Sequence, residues 1–180
     1  FAGDMKAVTG FDAKEKSGAP IQIYQLDQLT NKEFSAVEKL GAPLHLIITA
    51  KDAFYIGTRK GKLIVIGSNA RGTAYAIMKL SELAGVSPLA AWNDLQPAQR
   101  KSLYTPVDQQ WIEVPRIEFR GLALNNSQWM KPQNYSRIAR LMLRLRANTL
   151  WQVDGMHEAA YNKAVVDSFD ICVAENYKVT

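Results

Sequence analysis

The sequence predicts an α+β domain, a small sheet covered by helices, followed by the first βα units of a truncated (β/α)8 (TIM) barrel. Three observations carry this reading. Up to Val86 the apolar pattern runs strand, helix, strand, strand, strand, helix, which suits a sheet with helices laid over it. After Pro115 it changes to alternating strands and longer helices, the rhythm of parallel strands joined by crossovers. About 65 residues follow Pro115, against the ~200 or more of a complete barrel, so at most its first quarter fits. The expected division is residues 1–112, linker included, and residues 116–180.

Each element has a local reason. "IQIYQLDQ", Ile21 to Gln28, alternates with period two and predicts a strand with one buried face. "NKEFSAVEKL" predicts a short helix opened by Thr30 or Asn31 and closed by Gly41, with Pro43 behind it. "LHLIITA" is an apolar run of strand length. "AFYIGT" and "KLIVIG", separated by Arg59-Lys60-Gly61, predict a hairpin. A helix follows with Ser68 or Asn69 as N-cap, an apolar stripe of Ala76, Ile77, Leu80, Leu83 and Ala84, and Gly85 as a left-handed stop. Its first turn holds Arg71-Gly72. A glycine there either lets an anion approach the free N–H groups or lets the turn lie flat on a neighbouring strand.

From Ser87 to Pro115 the pattern dissolves into a linker whose Trp92, Tyr104 and Trp111 suggest packing rather than flexibility. Beyond it, "IEFRGLAL" predicts a strand, Asn134 to Ala147 a helix, "TLWQV" a strand and Tyr161 to Asn176 a helix, with a further strand beginning at Tyr177. Cut off from their neighbours, these strands are expected to pair with a second copy of the chain or to pack on the first domain, burying Phe119, Leu122, Leu124 and Leu150.

The composition excludes several classes. No apolar run reaches the ~18 residues of a membrane span. Cys172 is the one cysteine, and without a Cys/His cluster neither a metal site nor any cofactor is expected. Phe1 rather than Met opens the sequence, which suits a processed or cut N-terminus and leaves the compartment open. The charge of +5 comes from 22 Lys+Arg against 17 Asp+Glu. Its main concentration, Arg137, Arg140 and Arg144, lies opposite Ile138, Leu141, Met142 and Leu145 on one helix. A nucleic-acid reader would also place stacking aromatics or groove-reading polar residues there, so nucleic acid is not the expected partner.

The segments "GSNARGTAYAIMKLSELAGVSP", "VPRIEFRGLALNN" and "LMLRLRANTLW", in that order, resemble the N-terminal region of glycoside hydrolase family 115, the α-glucuronidases acting on xylan and related polysaccharides. "RLRANTLW" followed by "AENYKVT" is the more specific part. The first segment also resembles the accessory domain preceding the barrel in other carbohydrate hydrolases. The resemblance implies an accessory domain before a catalytic barrel, an exported parent in a periplasmic or extracellular setting, a polysaccharide or oligosaccharide substrate, and a proton donor on later barrel strands that this chain does not contain. It also assigns the Arg71-Gly72 turn to packing rather than phosphate binding. Where the family's first strand ends in Asn-Asp-Glu, this chain has Asn125, Asn126 and Ser127, and Trp151-Gln152-Val153 replaces the family's Trp-Pro-Ala. Hydrolysis with inversion needs an acid and a base about 6.5–9.5 Å apart, and the isolated chain is expected to be inactive.

Function in a barrel collects at the carboxyl ends of the strands. Asn125 and Asn126 end the first and suit sugar hydroxyls, because an amide both donates and accepts; turn formation explains them equally well. Trp151 either stacks on a pyranose ring or packs in the core. Asp154, His157 and Glu158 follow the second strand as the weak catalytic candidates, with Asp154-Gly155 reading most simply as a turn. Two other classes remain: a carbohydrate-binding or scaffold domain using exposed Trp92, Tyr104 and Trp111, and a nucleic-acid binder using the arginine helix.

Overall fold

The computed structural model describes residues 1–12, 19–93, 95–105, 107, 109–124, 132–152, 168–169 and 171–174. The chain forms two compact units, Phe1–Arg116 and Ile117–Thr180, each with its own sheet.

In the first unit, helix α1 (Ala2–Thr9) precedes strand β1 (Ile21–Gln25), helix α2 (Asn31–Glu38), the hairpin β2 (Phe54–Arg59) and β3 (Lys62–Gly67), helix α3 (Ala70–Leu83) and strand β4 (Gln110–Glu113). The sheet order is β1-β3-β2-β4, with β1 parallel to β3 and the other pairs antiparallel. The hairpin closes on Lys60 and Gly61, both at positive φ, as a two-residue turn matched to strand twist requires. Successive residues point to opposite faces. One face carries Tyr55, Ile64 and Ile66 into a core with Val37 of α2, Leu44 and Ile47. At about 1.5–3 kcal/mol for each fully buried side chain, this cluster is a main source of stability.

Both helices start and stop on local signals. Thr30 and Glu33 form a reciprocal capping box on α2. On α3, Asn69 Oδ1 accepts from the Gly72 N–H at 2.8 Å. At the far end the N–H groups of Gly85 and Val86 return to the carbonyls of Glu82 and Ser81, a Schellman closure with Gly85 left-handed.

Several expectations are overturned. "LHLIITA" is no strand: Leu44–Leu46 form a 3₁₀ turn, because Leu44 and Ile47, three apart, enter the core together while Leu46 and Ile48 stay exposed. The first strand stops at Gln25, followed by a 3₁₀ turn, and its Ile21 and Ile23 are exposed while Tyr24 packs inward. It is an edge strand, paired with β3 on one side, so the face that carries Ile21 and Ile23 lies at the margin of the sheet, where cover is incomplete. Of the expected α3 stripe, Ala76, Leu80 and Ala84 are buried, Ile77 is half-buried and Leu83 is exposed, while Gly72, Tyr75 and Ser81 join the buried face. The linker contains a strand, β4, and Tyr104 is 88% exposed rather than packed.

In the second unit, strands β5 (Gly121–Leu124), β6 (Thr149–Gln152) and β7 (Cys172–Ala174) form a parallel sheet in that order, with helix α4 (Pro132–Arg144) between β5 and β6. Tyr135, Ile138, Ala139 and Met142 of α4 pack with Leu150, Ala147 and Ile171. The "IEFRGLAL" strand is shorter than expected, and Phe119, in the segment before it, is 54% exposed instead of buried. Leu150 is buried and Leu122 half-buried, while the side chain of Leu124 lies outside the described residues. The expected helix to Asn176 is also corrected: Cys172–Ala174 is a strand, registered on Thr149 to Trp151. A short run such as "ICVA" has no period long enough to separate a strand from a helix end. The strand expected from Tyr177 lies outside the described residues.

Two measurements check this packing. A Cβ on Gly72 would collide with the Ala53 carbonyl, so Gly72→Ala should cost about 1–3 kcal/mol in urea unfolding with unchanged slope. Gly3→Ala, with open space around it, should cost nothing or add roughly 0.4–1 kcal/mol. The Thr30 hydroxyl and N–H hold the Glu33 carboxyl below its ordinary pKa. A lowered folded pKa means the contribution is present above the unfolded pKa and is lost as pH falls through the folded one. The difference in urea midpoint between the protein and Glu33→Ala should therefore be constant near neutrality and shrink below the ordinary carboxylate range.

Candidate functional site

All three strands of the second sheet run the same way, so their carboxyl ends lie along one edge, where a parallel sheet places its chemistry. The opposite edge is tied by Asn148, which is 4% exposed. Its Oδ1 accepts from the Arg120 N–H and the Thr149 hydroxyl, both at 2.8 Å, and its Nδ2 donates to the Glu118 carbonyl at 2.7 Å. Its main chain continues the tie: the N–H donates to the Arg120 carbonyl and the carbonyl accepts from the Cys172 N–H. One residue thus joins the lead into β5 with the starts of β6 and β7. Beside it, Gly121 approaches the Thr149 carbonyl so closely that any Cβ would collide, and Arg120 Nε donates to the Arg146 carbonyl at 2.9 Å. Sequence reading missed Asn148 and Arg120; the signal was an asparagine directly before a strand, where a side-chain amide can replace missing ladder partners.

Of the residues expected to carry chemistry, only Trp151 is described. It lies near the carboxyl end of β6, half-buried, in register with Ala123 and Ala174. Asn125 and Asn126, which follow β5 in sequence, and Asp154, His157 and Glu158, which follow β6, lie outside the described residues.

The Arg71-Gly72 turn is resolved in favour of packing. Its glycine lies against Ala53 and gives its N–H to Asn69 Oδ1, and the buried Asp52 carboxylate beside it receives Asn69 Nδ2 at 3.1 Å and Arg71 Nη1 at 3.4 Å. An incoming anion would meet a resident negative charge at a filled turn. On α4, Arg137 and Arg140 are exposed while Ile138, Ala139 and Met142 are buried, an amphipathic helix with its apolar face on the sheet. Leu145, expected on that apolar face, is exposed. Among the described residues no group of three His, Cys, Asp or Glu side chains could hold a metal ion, and no helix is long and apolar enough to cross a membrane.

The first unit has a cavity of about 370 Å3 between α1, the end of α3, β1, β3 and the segment 103–105. Tyr104 and Trp111 both line it; Trp92 does not.

No protein-family model matches the sequence, and no curated protein matches it significantly. Solved structures do. A family GH115 4-O-methyl-α-glucuronidase with specificity for decorated arabinogalactans is similar over 94% of this chain, at 26% identity and a TM-score of 0.77. CpGH84D is similar over 86% of this chain at 11% identity and a TM-score of 0.50, a likeness of fold. The chain covers 25% of the first structure and 26% of the second. The fold is thus one found within glycoside hydrolases. More narrowly, the chain is GH115-like along nearly its whole length.

The Asn148 tie gives a direct test. Asn148→Ala leaves the Arg120 N–H without its acceptor in a half-buried setting, and should cost at least about 2 kcal/mol in urea unfolding. The Arg120 amide should exchange faster with solvent; unchanged exchange would show that another group holds this edge.

Proposed function

We propose that the chain is the N-terminal part of an exported polysaccharide-degrading glycoside hydrolase, α-glucuronidase-like, with residues 1–112 as an accessory domain and residues 116–180 as the start of a (β/α)8 barrel. The observation that carries this is the likeness to the GH115 enzyme, which takes in 94% of this chain but a quarter of the other. The parallel order of β5, β6 and β7, with α4 as a crossover, supports a barrel start. So does the exposure of Ala123, whose neighbour Leu122 packs toward α4. Alternation directs Ala123 to the opposite face, which the later strands of a barrel would enclose.

In this reading the residues after β5 and β6 face the sugar. Asn125 and Asn126 hydrogen-bond its hydroxyls, and Trp151 offers an indole face to the ring. The acid that protonates the leaving oxygen and the base that activates water come from later strands. An amide and a hydroxyl, Asn126 and Ser127, stand where the family has carboxylates, so the sugar recognised here is set by neutral donors and acceptors at this strand end. A second reading, a carbohydrate-binding domain without catalysis, is favoured by Tyr104 and Trp111 sharing one cavity.

The purified 180-residue chain should hydrolyse neither aryl α-glucuronides nor glucuronoxylan. Turnover that disappears in an Asp154, His157 or Glu158 variant would overturn this and place the acid or base within this chain.

A further inference from the structure

We propose that the cavity of the first unit is a binding site for one or two neutral sugar residues, separate from the strand ends of the second unit. The inference rests on the carbohydrate reading for its choice of ligand class. The rest comes from the cavity. Its floor is apolar, formed by Ile21, Leu63 and Leu80. Its rim carries two aromatic residues from either side of a short connection: Tyr104, 88% exposed, and Trp111, half-buried on β4. Among the described lining residues the polar side-chain groups are the hydroxyls of Tyr104 and Thr105 and the indole N–H of Trp111, and the one formal charge is the α-ammonium of Phe1.

Each feature narrows the ligand. An exposed ring beside an apolar floor suits the C–H face of a pyranose, while hydroxyls at the rim suit its equatorial edge. The Phe1 α-ammonium is already opposed by the Asp4 carboxylate at 3.9 Å, which leaves a uronate no unopposed counter-charge among the described lining residues and favours a neutral residue. A volume of about 370 Å3 is at the small end of ligand sites, which run from roughly 300 to 1,000 Å3, and excludes a long oligosaccharide from the interior. An extended acyl chain would leave the rim hydroxyls unused. Tyr104 has no packing reason to stand in solvent, and a ligand gives it one.

The test is titration of the 180-residue chain with galactose, xylobiose and cellobiose, followed by calorimetry and by saturation-transfer NMR. Glucuronic acid serves as a charged control and 8-anilinonaphthalene-1-sulfonate as an apolar control. At least one neutral sugar should bind saturably, and Tyr104→Ala, which removes a solvent-exposed ring, should weaken it about tenfold. Leu83→Arg, on the cavity wall and 39% exposed, should weaken it as much without changing the urea midpoint. Binding of the apolar dye without any neutral sugar would overturn the proposal, as would stronger binding of glucuronic acid or sugar binding indifferent to both variants. The hydrolase reading fails on different grounds, by the behaviour of catalytic variants in a longer protein, so either can fall alone.

Discussion

The second unit depends on one buried amide. A parallel sheet has slanted, evenly spaced hydrogen bonds, and its strands start without a hairpin to set their register. Asn148 supplies that setting: its side chain holds the lead into β5 and its carbonyl holds the first residue of β7. Gly121 removes the Cβ that would hold β5 away from β6 at that level. A one-residue slip would invert the faces of the strands, taking Leu150 out of the α4 core and putting Trp151 into it. The tie at one edge therefore decides what the other edge can present. Arg146, at positive φ in the position where a helix stop favours glycine, is kept there while its carbonyl receives Arg120 Nε.

The first unit solves a different problem with the same means. Its sheet is mixed, its central strands β2 and β3 are largely buried on both faces, and α3 must approach them closely. Gly67 and Gly72 permit that approach, one under Thr73 and the other against Ala53. The buried Asp52, itself at positive φ, is held by Asn69 and Arg71, so the start of α3 and the start of β2 form one connected turn. Once Arg71 is paired there, its charge is no longer available to a ligand.

What the sequence disclosed follows from these devices. The α2 start at Thr30 or Asn31, the hairpin at Arg59-Lys60-Gly61, the α3 cap at Ser68 or Asn69 and the Gly85 stop are short-range signals complete within a few residues, and the structure selects Thr30 and Asn69. "LHLIITA" and "ICVA" failed because an apolar run states burial without stating geometry, and tertiary neighbours decide the rest. The linker concealed β4, since "QWIE" pairs with β2 from more than fifty positions away and carries no local turn signal. Asn148 was illegible for the same reason: its partners Glu118 and Arg120 are about thirty residues distant. For the candidate site, sequence reading identified Trp151 at a strand end and grouped Tyr104 and Trp111 with Trp92, which does not line their cavity, because that depends on where α1 and α3 end.

The two units support their aromatic residues differently. Trp151 lies within a strand, paired on both sides, so its backbone position is fixed by the ladder and ultimately by Asn148. A side chain held that way can meet a ligand in one geometry, the requirement for a reacting sugar. Tyr104 stands in a segment without regular structure, nearly all of it in solvent. Such a ring has no ladder to fix the position of its backbone. The contrast follows from hydrogen bonding alone: where the backbone is laddered the side chain specifies, and where it is not the side chain samples.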